Sequence, residues 1–494
     1  MRKVNLNTLF FFSLVATIPL LSGAVHPLVQ GIYTFLILLI SGIWLVLNFD
    51  SLGFKVFSFK PWLVFVILGF IILTAVSLPL DIIKLISPVR AESLTNALET
   101  GQLKDIATSL SYYTPGSQYY AVFGLALLLF FFFASAYLRW EQNQQIILWI
   151  ITFIGTAEAI YALLQFIVPS IGVLWIGTSS GNYPSGTFTN HNFYAAFLNI
   201  CWPVSLALGI SMTGLAIERS EMFKITKKNL TALDWLKLLV YKANLPYWCT
   251  VFMVLSVLLS RSVAGIFVMV VLIILCRIVV PFPRSIKITI SAALYLALIA
   301  FGLMLGIQGI IDSIFIIPTT VMAKYHFWTT SFAMLKDHLI AGIGMGSYQY
   351  MAPLYMPDIT EIPLLTHARN EYVELAIELG LPVMVLFVIW IITGLISQGK
   401  RIARMPRKIQ KMTQDEIIII GSVFSLLGFL IHAAVDSIWH TPAITLYAVT
   451  ILAVLTTIMT KEKTEAHYTP KRILPEKKAP KFVPYKPTRR RRQG

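Results

Sequence analysis

Residues 248–280 read WCTVFMVLSVLLSRSVAGIFVMVVLIILCRIVV, two apolar runs that are joined by a short polar segment around Arg261. A helix needs about 20 mostly apolar residues to cross the hydrocarbon core of a bilayer. Neither run shows the alternation of apolar and polar residues that marks the strands of an outer-membrane barrel. The pair therefore predicts a tight hairpin of two membrane-spanning helices.

Similar runs recur along the whole chain. Its 494 residues are 57% hydrophobic and 13% charged, whereas soluble globular proteins are about 45–50% apolar and about 25% charged. These values predict an all-α, polytopic transmembrane bundle of about twelve spans. The predicted spans cover residues 9–23, 28–47, 62–78, 119–137, 146–167, 194–212, 248–259, 264–280, 288–305, 373–396, 417–434 and 444–459.

The charges of the loops predict which side of the membrane each loop occupies. Cytoplasmic loops carry an excess of Lys and Arg, and the basic loops lie near residues 224–242 and 399–413. An even number of spans then places both termini in the cytoplasm. The long loops at residues 79–118 and 306–372 have mixed charge, so we expect them on the opposite, extracytoplasmic side.

The chain divides into a membrane domain, residues 1–460, and a tail, residues 461–494. The outer loop of about residues 306–372 separates the ninth and tenth spans. Twelve Lys or Arg residues in the tail contribute to a formal net charge of +16. Its Pro and Lys content predicts disorder, and its charge suits contact with anionic membrane lipid. We do not expect nucleic-acid binding.

Several polar residues are candidates for a site, each with a plainer explanation beside it. Arg261 suits an anion, because its planar fork binds phosphate with two parallel hydrogen bonds, but a surface Arg can also snorkel. Glu158, within the fifth span, relays protons or bonds a neighbour. His432 and Asp436 are spaced i, i+4, yet a third zinc ligand at metal spacing is missing. We therefore predict no metal site.

The outer loop contains three glycines at residues 342–346, which resemble part of a nucleotide-binding loop. No predicted strand precedes them, and nucleotide is scarce on that side of the membrane. A tight turn between two amphipathic helices is the better interpretation.

Four stretches, in this order, resemble the O-antigen ligase and polymerase superfamily. The likeness extends from about Tyr161 onward, and the ending His432…Asp436…Pro442 is also similar. The stretches are Gly186-Thr187-Phe188-Thr189-Asn190-His191-Asn192, Ser260-Arg261-Ser262, Trp328 through Asp337-His338 to Gly342-Ile343-Gly344-Met345-Gly346, and His367-Ala368-Arg369-Asn370-Glu371-Tyr372 running to Glu378-Leu379-Gly380-Leu381.

The resemblance implies a metal-independent, inverting glycosyltransferase without a cofactor in the bacterial inner membrane. Such enzymes move a glycan from undecaprenyl pyrophosphate to an acceptor hydroxyl at the outer face. In the ligases that acceptor is the lipid A–core oligosaccharide. A polysaccharide polymerase, with a glycan acceptor, and a protein O-oligosaccharyltransferase, with a Ser or Thr acceptor, remain open. A transporter is the alternative from another class.

The resemblance also assigns roles to residues. His367 would deprotonate the acceptor, and Arg261, Lys324 and Arg369 would hold the diphosphate. Lys324 stands where the family usually has Arg, and Arg369 where it usually has His. If the segment is extended, His367 and Arg369 face one cavity; if a helix has already begun, they diverge. Possible supporting residues are Asn190, Asn192, His326, His338, Asn370 and Asp436.

Overall fold

The computed structural model describes residues 6–48, 62–100, 108–174, 183–218, 244–281, 299, 302, 328–356 and 366–468. Within these ranges the chain is helical and forms no strand, apart from an isolated bridge between Ser77 and Ser109. The predicted all-α class is confirmed. The last helix extends into the predicted tail, residues 461–494, as far as Tyr468. Residues 469–494 lie outside the described residues, and so does most of the predicted ninth span.

The helices are numbered in chain order. They are α1 (Leu6–Thr17), α2 (Pro27–Leu47), α3 (Trp62–Ala75), α4 (Leu80–Ile86), α5 (Pro88–Glu99), α6 (Thr114–Tyr137), α7 (Glu141–Ile167), α8 (His191–Glu218), α9 (Leu245–Leu259), α10 (Val263–Val279), α11 (residues 328–337), α12 (Tyr348–Met351), α13 (Glu371–Leu379), α14 (Leu381–Ile402), α15 (Gln414–Ala433) and α16 (Pro442–Tyr468).

Seven of the described helices are long and apolar enough to cross a membrane: α2, α6, α7, α8, α14, α15 and α16. Four shorter apolar helices, α1, α3, α9 and α10, occupy further predicted spans. The multi-pass character predicted from composition is therefore present in the fold. The total of twelve spans stays a prediction.

Helix α8 lies at the centre of the bundle. It packs against α7, α9, α10, α15 and α16, and 83% of its apolar window is buried within the protein. Small residues allow helices to approach closely in membranes. A Cβ atom at Gly421 of α15 would lie only 2.4 Å from the Cβ of Ala207 on α8. This packing fixes the start of α8, where the first motif ends, next to the ends of its neighbours.

The predicted tenth span, residues 373–396, is divided in the structure. Helix α13 ends at Leu379, and α14 begins at Leu381 with a proline in its first turn. Gly380 between them has a φ of +80°, and a Cβ there would lie 2.1 Å from the carbonyl oxygen of Ile340. The candidate span therefore starts at Leu381, and α13 is a separate short helix.

Cysteine labelling is expected to place residue 333 outside and residue 408 inside. Ala333→Cys and Lys408→Cys both replace exposed residues, and the three natural cysteines are buried, so background labelling should be low. A membrane-impermeant maleimide should modify the first variant in intact cells and the second only after permeabilisation, as the loop charges require. The reverse pattern would contradict the topology.

Candidate active site

A strained turn precedes α13. Asn370 caps the helix, because its Oδ1 accepts hydrogen bonds from the N–H groups of Tyr372 at 3.0 Å and Val373 at 3.2 Å. The preceding residue, Arg369, has a φ of +55°. Non-glycine residues are uncommon in this region, and such strain clusters at functional sites. The segment is therefore neither extended nor helical, and His367 and Arg369 reach different partners.

His367 is bonded to a buried carboxylate on α13. Its Nδ1 lies 2.8 Å from Oε1 of Glu374, whereas no described residue hydrogen-bonds its Nε2. Glu374 accepts two more hydrogen bonds, from Nε2 of His440 at 3.0 Å and from the N–H of Ala368 at 2.8 Å. Glu374 is almost fully buried, and His367 remains 29% exposed. The imidazole thus has one nitrogen anchored by Glu374 and one nitrogen that no described residue binds.

Burial and charge set the protonation of this group. Burial opposes the charged form of His367, but the facing Glu374 carboxylate outweighs it and raises the His367 pKa. Burial also opposes ionised Glu374, yet the two imidazoles facing it lower the Glu374 pKa. Burial, and then repulsion from His367, lowers the pKa of His440. We infer an ionised Glu374, a neutral His440 and a His367 that titrates above its ordinary pKa.

His440 reaches the site from the turn before α16. Its Nδ1 lies 2.6 Å from the hydroxyl of Tyr120 on α6. Because a neutral His440 donates to Glu374 through Nε2, its Nδ1 is the acceptor and Tyr120 is the donor. The rings of His367 and His440 stack with centroids 4.1 Å apart. Glu374 thereby links α13 to α6 and to the turn before α16.

Three glutamates share the buried face of α13, since Glu371, Glu374 and Glu378 are spaced i, i+3 and i+7. Glu371 accepts a hydrogen bond from the N–H of Trp439, and Glu378 accepts one from the N–H of Tyr348. Burial, followed by the charge of Glu374, raises the pKa of both flanking carboxyls well above the ordinary range. The pKa of Glu374 is therefore lowered, whereas the pKa values of the two carboxyls beside it are raised.

Arg369 forms an ion pair with Asp436, at 3.2 Å from Nη1 to Oδ1. Asp436 also accepts a hydrogen bond from the N–H of Ser437. The Arg369 side chain is 39% exposed, and the rest of its guanidinium makes no hydrogen bond to described residues. His191, the first residue of α8, interacts electrostatically with both Arg369 and Asp436. The first and fourth motifs and the chain segment before α16 therefore meet.

Arg261 lies in the turn between α9 and α10, with a φ of +53°. Its guanidinium carbon is 5.6 Å from the ring centroid of Tyr183, and the Tyr183 ring is 5.2 Å from that of His191. The next residue, Ser262, caps α10 and donates a hydrogen bond to Oδ1 of Asn192 at 2.6 Å. Arg261 is thereby held next to the first motif.

Hydrogen bonds hold the loop before α8 in place. Glu158 of α7 accepts hydrogen bonds from the N–H and the hydroxyl of Thr187, both at 2.8 Å. Oδ1 of Asn190 accepts a hydrogen bond from the N–H of Asn192 at 2.8 Å, as the side chain of an N-cap residue does. Of the two roles considered for Glu158, the structure shows a hydrogen bond to a neighbour. Asn190 and Asn192 orient the motif.

The glycine stretch, residues 342–346, caps the far end of α13. Its three glycines have φ values between +68° and +90°. The N–H groups of Ile343 and Gly344 donate to the carbonyls of Ile377 and Glu378, both at 2.9 Å. They satisfy carbonyls that the end of a helix leaves unpaired. The stretch is thus a tight turn, as predicted, and it fixes the position of α13.

The structure places His338 apart from this cluster. Its Nε2 lies 3.3 Å from the hydroxyl of Tyr355, its ring packs edge-on against Tyr112, and the residue is 3% exposed. Burial lowers its pKa. The other outer-loop candidates, Lys324 and His326, lie outside the described residues.

Two groups of residues were compared with the geometry of a metal site. Helix α15 ends at Ala433, so His432 and Asp436 do not share a helix face as their spacing had indicated, and Asp436 pairs with Arg369 instead. Nδ1 of His367, Oε1 of Glu374 and Nε2 of His440 lie within 4.8 Å of one another. They form a possible metal-binding set that the sequence had not indicated.

Hydrogen bonding explains the geometry of that set better. Tetrahedral zinc holds its ligand atoms about 3.3 Å apart, whereas Oε1 of Glu374 lies 2.8 Å and 3.0 Å from the two nitrogens. The two imidazole planes are only 29° apart in a stacked arrangement. Both nitrogens lie within hydrogen-bond distance of the same oxygen, Oε1 of Glu374, as two donors to one carboxylate do.

Sequence reasoning missed Glu374, His440 and Tyr120 as members of the site. Their signal was present in part: Glu371, Glu374 and Glu378 place three carboxylates on one helix face, which is costly unless they are paired. The predicted membrane span across residues 373–396 concealed it.

One comparison with known families matches the part of the chain that contains much of this site. Residues 248–388 match the family model described as O-Antigen ligase. The match begins within α9 and ends within α14, so it contains Arg261, His367, Arg369 and the whole of α13. No curated protein matches the chain. Residues 248–388 are therefore similar to O-antigen ligases, which supports the superfamily that the four motifs resemble.

Proposed function

We propose that this protein transfers a glycan from undecaprenyl pyrophosphate to an acceptor hydroxyl at the outer face of the bacterial inner membrane. The O-antigen ligase domain supports glycan transfer in general. The observation that carries the proposal is the pairing of His367 with Glu374, which leaves one imidazole nitrogen unoccupied near the Arg369–Asp436 pair. Incubation of purified protein with a lipid-linked glycan and an acceptor tests it.

His367 acts as the general base in this proposal. Its Nε2 takes the proton of the acceptor hydroxyl, and the oxygen attacks the anomeric carbon of the donor sugar. The bond from that carbon to the diphosphate breaks, and undecaprenyl pyrophosphate leaves with the electron pair. Attack opposite the leaving group inverts the anomeric configuration. Diphosphate is a good leaving group, so a strong general acid is unnecessary.

The arginines hold the diphosphate. Guanidinium groups bind phosphate oxygens through paired, charge-assisted hydrogen bonds, and fixed charge placed where the leaving group develops charge lowers the barrier. Arg261 and Arg369 are both held at positive φ beside the first motif. Asp436 orients Arg369 through one of its N–H groups and leaves the others for the donor. Lys324 is the third cation in the proposal.

The undecaprenyl chain needs apolar surface beside the site, and α14 offers it. This span begins directly after α13, and only 11% of its apolar window is buried within the protein. Phe387 on α14 packs edge-on against Trp439, next to the site histidine His440. We assign the polyprenyl chain to the surface of α14, where membrane lipid is the neighbouring solvent.

The acceptor separates three members of the same class. A ligase uses lipid A–core, a polymerase uses a growing glycan, and a protein O-oligosaccharyltransferase uses Ser or Thr. Gene deletion followed by profiling of lipid-linked glycan and surface polysaccharide distinguishes them, because each acceptor accumulates unmodified. The transporter alternative is disfavoured, since Glu158, its best candidate for a proton relay, is committed to Thr187.

Activity is expected to need neither nucleotide nor divalent metal. The reason is chemical: the diphosphate is already activated, and the proposed site uses cations and a histidine instead of a metal. Transfer by purified protein should therefore proceed in EDTA without ATP, at the rate seen before chelation. Complete loss in EDTA, restored by adding one metal, would contradict the expectation and favour the His367–Glu374–His440 set as metal ligands.

A further inference from the structure

Glu374 is connected unlike any other carboxylate in the site. It binds the anchored nitrogen of His367, the Nε2 of His440 and the N–H of Ala368. His440 is held in turn by Tyr120. We propose that Glu374 is the positioning residue of the reaction, which fixes the tautomer and the ring orientation of His367. This inference rests on the proposed role of His367 as the base.

The tautomer follows from the donors and acceptors. An ionised carboxylate only accepts hydrogen bonds, so Nδ1 of His367 must carry the proton that points at Glu374. Nε2 of the neutral ring is then unprotonated, which is the form that a base requires. Without an acceptor at Nδ1, the proton can reside on either nitrogen and the ring can turn.

The carboxylate itself is held from three sides. The N–H of Ala368 fixes Oε2, and the two histidines fix Oε1, so rotation of the Glu374 side chain would break all three hydrogen bonds. The stacked ring of His440 also restricts the plane of His367. Contacts from Ala368 and His440 therefore hold Glu374 in place, and Glu374 in turn orients the base, His367.

The groups facing His367 predict how replacement changes its titration. They are Glu374 and, at longer range, Arg369 and Asp436; His440 stacks on the ring. Glu374 and Asp436 favour the imidazolium, whereas Arg369 opposes it. Loss of the Glu374 charge removes the main contribution that raises the pKa of His367. The rising limb of the pH–rate profile should therefore move to lower pH.

The test compares Glu374→Gln with Glu378→Gln. Both replace a buried glutamate on the same face of α13 with its isosteric amide, but Glu378 accepts a hydrogen bond from the backbone N–H of Tyr348 and has no hydrogen bond to either histidine among the described residues. Glu374→Gln should lower kcat about 10²–10⁴-fold, the range of general-base catalysis, with an unchanged KM for the donor. Glu374→Asp, which keeps the charge, should recover part of the rate. Glu378→Gln should retain near wild-type kcat.

Three results would overturn the inference. One is near wild-type kcat and an unmoved limb in Glu374→Gln. Another is an equal loss of rate in Glu378→Gln, which would indicate a structural role for the whole face. The third is a stoichiometric metal ion in the wild-type protein that Glu374→Gln lacks. Failure of the proposed function is distinguishable, because the wild-type protein would then transfer no glycan, or would show no limb that depends on His367.

Discussion

Replacing His367 with glutamine is expected to lower the rate of glycan transfer about 10²–10⁴-fold, the contribution of a positioned general base. Glutamine keeps a side chain of similar reach but cannot accept a proton. The base must be neutral to act, so activity of the wild-type protein should rise with pH through the pKa of His367. Because that pKa is raised, the midpoint should lie above the ordinary value of about 6.5.

The matched control is His338→Gln. His338 lies in the same predicted outer loop but is buried against Tyr112 and Tyr355, without a described hydrogen bond or ion pair to the cluster on α13. The His338→Gln variant should keep the rising limb of the pH–rate profile, whereas His367→Gln should remove that limb along with most of the rate. If His367→Gln keeps the limb and His338→Gln or His326→Gln abolishes it, the base lies elsewhere in the outer loop.

The second large effect is expected at Arg261. Loss of one preorganised donor at a developing charge typically lowers kcat about 10²–10³-fold, and Arg261→Ala should fall in that range. Arg261→Lys should recover little, because an ammonium is a point charge and cannot form the paired contact of a guanidinium. Transfer kinetics with the lipid-linked donor measure both changes.

The backbone at Arg261 supplies its own control. Its φ of +53° is strained for a residue with a side chain, whereas glycine adopts it readily. Arg261→Gly should therefore lose as much activity as Arg261→Ala without loss of fold, and thermal unfolding can verify the fold. Arg404→Ala, an exposed arginine on the predicted inner side, should be neutral. Near wild-type transfer by Arg261→Ala at normal expression would indicate that Arg261 is a surface residue that snorkels and does not bind the donor.

The class of this protein followed from its sequence. Long apolar runs leave the backbone no way to satisfy its polar groups in lipid except as helices, so the all-α membrane fold could be read from residues such as 248–280. The order of the motifs indicated the O-antigen ligase superfamily, and the family match over residues 248–388 supports it. It also singled out Arg261, His367, Arg369 and Asp436, which the structure brings to one region.

The division of the tenth span escaped sequence reasoning. The apolar run across residues 373–396 is nearly continuous, and hydropathy averages over the break at Gly380. That break depends on the carbonyl of Ile340, which approaches too closely for a side chain at position 380. A contact between segments 40 residues apart has no signature in a local pattern.

The anchoring of His367 was likewise decided by tertiary structure. His367 and Glu374 are near neighbours in sequence, but His440 lies on a different segment and Tyr120 on another helix, and these two complete the set. Residue types alone indicated a base and cations. Which nitrogen is anchored, which carboxylate is ionised and which histidine is excluded depend on distances and burial, and these arise only when distant helices pack together.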